Sequence, residues 1–199
     1  MDTVGSPIIK DIVNDEGIYI KKVDSQKIAK LVDIIGIPID GSNNEIFKLF
    51  RQTNTDILNN QLTICKILNE FNAHICINTV VHKGNLGDAC ELAKLVKRLD
   101  YISKWQIFQY EPLGKYGLKN RKLFEINDRE FSDFQSEVLK VFDNDISKLQ
   151  FKSSHNRKNA YMLIDNSGNA WIPSCENMSL TEYSYILNEN VIIGNITNQ

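Results

Sequence analysis

Three amide side chains interrupt strand-like runs of apolar residues in the middle of the chain. Asn78 lies among isoleucines and valines, and Gln106 and Gln109 lie in the run that begins with Trp105. A buried amide without partners costs roughly 1–3 kcal/mol, so each needs a hydrogen-bonding neighbour or a ligand. Asn78 either bonds to a nearby loop or faces a ligand. Side chains alternate across a strand, so Gln106 and Gln109 point to opposite faces. We expect Gln109, which is nearer the C-terminal end, to point into a pocket.

Isolated cations offer a second kind of contact. Arg51 follows the first predicted strand, and arginine is suited to bidentate binding of carboxylates. A solvated surface position is the alternative interpretation of Arg51. Lys104 precedes the third predicted strand, where a lysine is usually solvated. The basic stretches 115–122 and 156–159 either bind phosphate or form solvated loops.

Residue types that bind metals are scattered along the sequence. The four cysteines, at 65, 76, 90 and 175, contain no CxxC pair, and the three histidines lack metal-ligand spacing. This pattern is typical of reduced cytosolic thiols that fill a core. There is also no GxGxxG motif and no GxxxxGK[ST] phosphate loop.

The elements that position these residues alternate between two kinds of segment. The predicted elements are strands at 32–39, 74–81 and 105–110, and helices at 56–72 and 86–99. A strand–helix alternation of this kind predicts a parallel sheet with right-handed crossovers. Chemistry in such sheets gathers at the C-terminal ends of the strands, here near Asp40, 79–85 and 109–117.

The flanking segments carry weaker signals. A short helix begins at Asp24 or Ser25, and a longer one begins near Asp128, its predicted N-cap. Apolar runs at 160–164 and 170–173 flank a glycine-containing turn, which predicts a β-hairpin.

Composition is ordinary for a soluble globular protein. The chain has 199 residues, a formal charge of −2, 42% hydrophobic residues and 24% charged residues. One domain, or one domain with a small appendage, is expected. A pI of 5.9 gives no reason to expect nucleic acid or an anionic membrane as a partner. No apolar run reaches the length of a membrane span and no secretory signal is recognisable, so a cytoplasmic location is expected.

Taken together, the strand motifs resemble a radical S-adenosylmethionine (SAM) enzyme of the viperin-like kind. The sequence VDIIGIPIDG at 32–41 resembles the fourth barrel strand of such enzymes, INTVV at 77–81 the fifth, and KWQIFQ at 104–109 the sixth. Segments 124–134 and 154–165 are also similar, and the likeness covers roughly 25–173.

The resemblance implies an α/β fold, a partial parallel βα barrel of radical SAM type with a C-terminal helix and β-hairpin extension. It divides the chain into an ambiguous segment 1–24, the partial barrel 25–117 and the extension 118–199. In the family, a [4Fe–4S] cluster binds SAM and cleaves it to a 5′-deoxyadenosyl radical. By resemblance, Arg51, Asn78 and Gln109 contact SAM, while Lys104 and Tyr161 contact a substrate, which in viperin-like enzymes of antiviral defence is a nucleotide.

The cluster-binding motif of the family is absent from the sequence. The cluster requires three cysteines spaced CxxxCxxC, because thiolates hold the iron, and this chain has no such motif. We therefore expect no cluster on this chain alone. The first hypothesis is a truncated or split enzyme, in which an N-terminal half or a separate chain supplies the cluster. The alternative is a non-catalytic βα module for binding or interaction.

Overall fold

In the part of the chain that the structure describes, the strands form one parallel sheet and two small antiparallel ones. The computed structural model describes residues 6–13, 17–51, 55–112, 114–154, 163–164, 169–171 and 192–195. Its strands are β1 (Ile12–Val13), β2 (Tyr19–Ile20), β3 (Ile35–Pro38), β4 (Ile75–Val81), β5 (Lys104–Gln109), β6 (Leu149–Lys152), β7 (Leu163–Ile164), β8 (Asn169–Trp171) and β9 (Ile192–Asn195). Strands β3, β4, β5 and β6 pair in that order, and every pair is parallel. The predicted α/β class with a parallel sheet is therefore confirmed.

Helices connect the parallel strands. They are α1 (Ser6–Ile9), α2 (Ser25–Leu31), α3 (Asn44–Arg51), α4 (Ile57–Glu70), the 3₁₀ helix η1 (Lys83–Asp88), α5 (Ala89–Lys97), α6 (Gly114–Lys119), α7 (Arg121–Phe124) and α8 (Asp128–Val141). Helix α4 begins where the side chain of Asp56 accepts a hydrogen bond from the Asn59 amide at 3.2 Å. The predicted helices at 56–72 and 86–99 are thus confirmed, although η1 forms the first part of the second.

Some boundaries differ from the prediction. The first parallel strand begins at Ile35 rather than at 32, because Val32 caps the C-terminus of α2 and bonds back to Ile28. The N-cap of α8 is Asn127 rather than Asp128, since Asn127 and Glu130 form a reciprocal capping box. Helix α3 and strand β6 were not predicted from the sequence.

One face of the parallel sheet carries the core. Alternate strand residues on this face are buried together with side chains from α4, α5 and α8. They include Ile35, Ile37, Ile75, Ile77, Trp105, Ile107, Leu68, Leu92, Phe131 and Val138. Burying each large apolar side chain contributes roughly 1.5–3 kcal/mol, which fixes the helices on this side of the sheet. We call it the helix face.

The segment after the sheet forms the predicted hairpin. Strands β7 and β8 pair antiparallel, and β9 adds to the other side of β8. The C-terminal helix and β-hairpin extension is therefore confirmed. Within the described ranges, the helices are all too short or too polar to cross a membrane.

Candidate functional site

The second face of the parallel sheet carries a row of amide side chains. The register pairs Asn78 with Gln106 across β4 and β5, and Gln106 with Gln150 across β5 and β6. Gln106 Nε2 donates to Gln150 Oε1 at 2.9 Å. Neighbouring strands lie about 4.8 Å apart, so this amide row spans roughly 10 Å. Each amide can both donate and accept hydrogen bonds, which suits the row to a polar ligand.

Other side chains on this face, which we call the polar face, frame the amide row. Toward the N-terminal ends of the strands, Cys76 pairs in register with Lys104, and Cys76 Sγ lies 3.5 Å from Asn78 Oδ1. Toward the C-terminal ends, Phe108 pairs with Lys152, whose Nζ lies 5.0 Å from the centroid of the Phe108 ring. The two lysines give the polar face positive charge on both sides of the amide row.

Gln109 lies on the opposite face from the amide row. It is 3% exposed and shares the parity of Trp105 and Ile107, which point to the helix face. Its Nε2 donates to the Ile126 carbonyl at 3.3 Å, and its Oε1 accepts from the Ser154 amide at 3.0 Å. The structure therefore assigns Gln109 to joining β5 with the chain around α8, and places Gln106 on the polar face. The parity shared with two large apolar residues was the signal in the sequence.

An ion pair lies at the C-terminal end of β3. Arg51, the last residue of α3, donates from Nε to Asp40 Oδ2 at 2.6 Å. The carboxylate is fully buried, and its Oδ1 accepts from the Val80 amide at 2.7 Å. Burial raises the pKa of Asp40, whereas the Arg51 charge and the Val80 amide act in the opposite direction. The pair thus joins α3 to the ends of two neighbouring strands.

A buried asparagine connects the C-terminal ends of β3 and β4 through hydrogen bonds. Asn85 Nδ2 donates to the carbonyls of Asp40 and Val80, both at 2.9 Å, and its Oδ1 accepts from the His82 amide at 2.8 Å. Asn85 is fully buried, so its side chain replaces water as the partner of three backbone groups. Asn85 was not among the site residues predicted from the sequence. Its spacing from His82, three residues into a helix, is the capping-box pattern that could have identified it.

His82 lies in an aromatic cluster beside this rim. Its ring stacks on Phe50 with centroids 4.9 Å apart and meets Phe124 edge to face at 5.3 Å. Nδ1 accepts from the Gly84 amide at 3.1 Å, so the proton of a neutral ring resides on Nε2. Burial, reinforced by the nearby Arg51 charge, lowers the pKa of His82 to about 4. His82 is consequently neutral at physiological pH.

The structure brings some of the predicted site residues together. Arg51 bonds to Asp40 at the rim, and Asn78 lies on β4 two residues before Val80, which also bonds to Asp40. Two residues along a strand span about 7 Å. Lys104 lies on the polar face at the opposite end of the sheet from Arg51. Tyr161 is outside the described residues, so its predicted contact with substrate stays a prediction.

The described cysteines do not form a cluster-binding site. Cys65 is buried among the core residues of α4, Cys90 lies on α5, and Cys76 lies on the polar face. Burial raises the pKa of Cys65 to about 12, which is unsuited to a thiolate ligand. No group of three or more His, Cys, Asp or Glu side chains in the described ranges is arranged to hold a metal ion. These residues do not fit a [4Fe–4S] cluster.

Comparison with known proteins identifies the fold. No protein-family model and no curated protein matches the chain. Among solved structures, native anSMEcpe with bound AdoMet is similar, with a TM-score of 0.58 and 12% identity. Native anSMEcpe with bound AdoMet and the Kp18Cys peptide is similar with a TM-score of 0.57 and 14% identity. Each similarity covers 89% of this chain and 52% of the other, so this chain spans about half the length of these neighbours. The predicted fold, α/β with a partial parallel βα barrel, is confirmed.

Proposed function

We propose that this chain supplies the substrate-side half of a radical SAM enzyme of the viperin-like kind, with SAM and a nucleotide substrate bound along its polar face. The amide row carries the proposal, because it sets three hydrogen-bonding side chains in register on the face that lines the interior of a βα barrel. The sequence resemblance supports the viperin-like assignment, and the shared fold supports the barrel.

Two predicted contacts suit SAM chemically. The Arg51 guanidinium provides charge for the SAM carboxylate at the C-terminal rim, where ligands of βα folds bind. Asn78 lies on β4 two residues, or about 7 Å, before Val80, and it provides an amide for the polar groups of the same molecule. When bound with a cluster, SAM would supply the radical chemistry, and this chain would bind and orient the reactants.

In this proposal the cluster ligands lie outside this sequence of 199 residues, which contains no CxxxCxxC motif. A further segment or a separate chain carrying CxxxCxxC would provide them. Completion by a partner agrees with the parallel sheet, whose edge strands need pairing or cover.

Titration of the chain with SAM tests the binding role. Isothermal titration calorimetry should detect SAM binding to the wild type, and Asn78→Ala should weaken it about threefold to tenfold through the loss of one hydrogen bond. Asn69→Ala is the matched control, because Asn69 is exposed near the end of α4. Absence of SAM binding to the wild type, or equal affinity of the two variants, would contradict the proposal.

A parallel titration tests the nucleotide. Lys104 should interact with phosphate, so Lys104→Ala should weaken CTP binding but leave cytidine binding unchanged. Lys94→Ala provides the control, since Lys94 is exposed on α5 and pairs with Glu91. Equal losses for CTP and cytidine would argue against a phosphate contact at Lys104.

A second candidate function is a non-catalytic binding module built on the same scaffold. The ion pair favours it, because Asp40 already engages the arginine that the resemblance assigns to SAM. Anaerobic iron–sulfide reconstitution, first of this chain alone and then with a candidate partner that carries CxxxCxxC, separates the two functions. The enzyme proposal expects SAM cleavage only in the mixture. If the chain is a non-catalytic module, neither SAM binding nor SAM cleavage should occur in any mixture.

A further inference from the structure

Arg51 is held in one orientation by two different contacts. Its Nε donates to Asp40 Oδ2 at 2.6 Å, and its Cζ lies 5.5 Å from the centroid of the Phe50 ring. The Arg51 side chain is 32% exposed, whereas Asp40 is fully buried. One edge of the guanidinium is therefore anchored inward while part of the group reaches solvent.

Asp40 is itself fixed on the neighbouring strand. Its Oδ1 accepts from the Val80 amide at 2.7 Å, and its backbone carbonyl accepts from Asn85 Nδ2 at 2.9 Å. Asn85 also bonds to the Val80 carbonyl, so side-chain and backbone contacts both connect the ends of β3 and β4. A carboxylate with these partners can rotate only if a buried backbone amide loses its acceptor, which is costly.

The hydrogen bond to Asp40 uses only one of the N–H donors of the Arg51 guanidinium. Arginine carries five N–H donors in a planar fork, and the Nε bond uses one of them. Carboxylates and phosphates bind arginine through two parallel hydrogen bonds, which require the plane of the fork to be set. The Asp40 and Phe50 contacts together set this plane.

We infer that Asp40 is a positioning residue, which holds Arg51 as a preorganised receptor for the carboxylate of a ligand at the C-terminal rim. This inference rests on the proposed function, since it takes Arg51 as a ligand contact. Asp40 acts through Arg51 and does not itself touch the ligand. Immobilising the arginine before binding removes an entropic cost that the ligand would otherwise meet, which corresponds to roughly a twofold to tenfold gain in affinity.

The test compares Asp40→Asn with Asp88→Asn. The asparagine at 40 keeps the size of the side chain but weakens the hold on Arg51. Asp88 is a matched control, because its carboxylate is also buried at this rim and accepts from Ser42 N at 2.6 Å and Ser42 Oγ at 2.5 Å. Two readouts are used: the ¹⁵N-edited NMR signal of the Arg51 Nε–H group, and SAM affinity by calorimetry.

We expect the Arg51 Nε–H signal to shift and to exchange faster with water in Asp40→Asn only. SAM affinity should fall twofold to tenfold in that variant and stay unchanged in Asp88→Asn. An unchanged Arg51 signal in Asp40→Asn, or equal affinity losses in both variants, overturns the inference. If the wild type binds no SAM while the signal still depends on Asp40, the proposed function fails and the anchoring of Arg51 stands.

A measurement on the wild type covers the case in which Asp40→Asn does not fold. Arg121 also donates from Nε to a carboxylate, Glu125 at 2.7 Å, but that pair is exposed. Anchoring by a buried carboxylate predicts that Arg51 Nε–H exchanges at least tenfold more slowly than Arg121 Nε–H. Equal exchange rates would show that Asp40 does not fix Arg51.

Discussion

Replacing Asn85 by alanine should destabilise the protein more than any exposed asparagine substitution. The side chain makes three hydrogen bonds of 2.8–2.9 Å to backbone groups of Asp40, Val80 and His82, and none of its surface is exposed. An unsatisfied buried polar group costs about 1–3 kcal/mol. Because partial rearrangement recovers some of this loss, we expect the free energy of unfolding to fall by about 3–5 kcal/mol. That is a large share of the 5–15 kcal/mol typical of a domain.

Asn85→Asp sharpens this prediction. The aspartate keeps an acceptor for the His82 amide, but it replaces the amide donor with a carboxylate oxygen that faces the two carbonyls of Asp40 and Val80. A buried charge beside two acceptors is unfavourable, so at pH 7 this variant should be at least as unstable as Asn85→Ala. The alanine variant alone would not separate lost hydrogen bonds from lost packing.

Urea unfolding followed by circular dichroism measures both variants, provided that the dependence of free energy on urea is unchanged. Asn69→Ala is the control and should remain within about 0.5 kcal/mol of the wild type. The reasoning is refuted if Asn85→Ala lies within 1 kcal/mol of the wild type, or if Asn85→Asp is the more stable of the two variants.

Three further predictions concern buried groups. Folding lowers the pKa of His82 from 6.5 to about 4, so the unfolded chain takes up a proton at a higher pH than the folded protein does. The free energy of unfolding should therefore fall by up to about 3 kcal/mol as the pH drops from 6.5 to 4. Urea unfolding at pH 7.5 and at pH 5 should show part of this loss in the wild type and a smaller loss in His82→Phe. Trp105 Nε1 donates to Thr79 Oγ1 at 2.9 Å, and Thr79 Oγ1 donates to the Ile39 carbonyl. Thr79→Val keeps the shape of the side chain but leaves two buried polar groups without their partner, so it should lower the free energy of unfolding by about 2–6 kcal/mol, and a loss below about 1 kcal/mol in thermal unfolding would count against this bonding scheme. Cys65 is buried and Cys90 is half-buried, so iodoacetamide mapped by mass spectrometry should label Cys90 in the native protein and Cys65 only after unfolding.

The sequence alone determined the alternation of strands and helices. Short runs of β-branched and aromatic residues indicated β4 and β5, and the spacing of apolar residues indicated α4 and α8, because these signals are local and follow directly from the two periodicities. The glycine-containing turn between two apolar runs likewise indicated the pairing of β7 and β8. A resemblance of ordered strand motifs was sufficient to predict a partial parallel βα barrel.

Short or polar elements were not recognisable in this way. Strand β6 has the sequence Leu-Gln-Phe-Lys, in which apolar and polar residues alternate over only four positions. Its pairing partner, β5, lies over forty residues earlier in the chain. Without β6, Gln150 could not be assigned to the amide row. Helix α3 spans eight residues and follows a loop, so its pattern covers scarcely two turns.

The candidate site itself was decided by the tertiary structure. Alternation along β5 separates Gln106 from Gln109, and the large residues Trp105 and Ile107 share the parity of Gln109. The packing of helices against Trp105 and Ile107 then established that Gln106 points away from the core. In the same way, the sequence identified Arg51 as a cation near the end of a strand. Its buried partner Asp40, eleven residues away, became apparent only when α3 folded back over β3. The sequence gives the type and spacing of each side chain directly, whereas the residues that surround a side chain depend on contacts between segments that are distant in sequence.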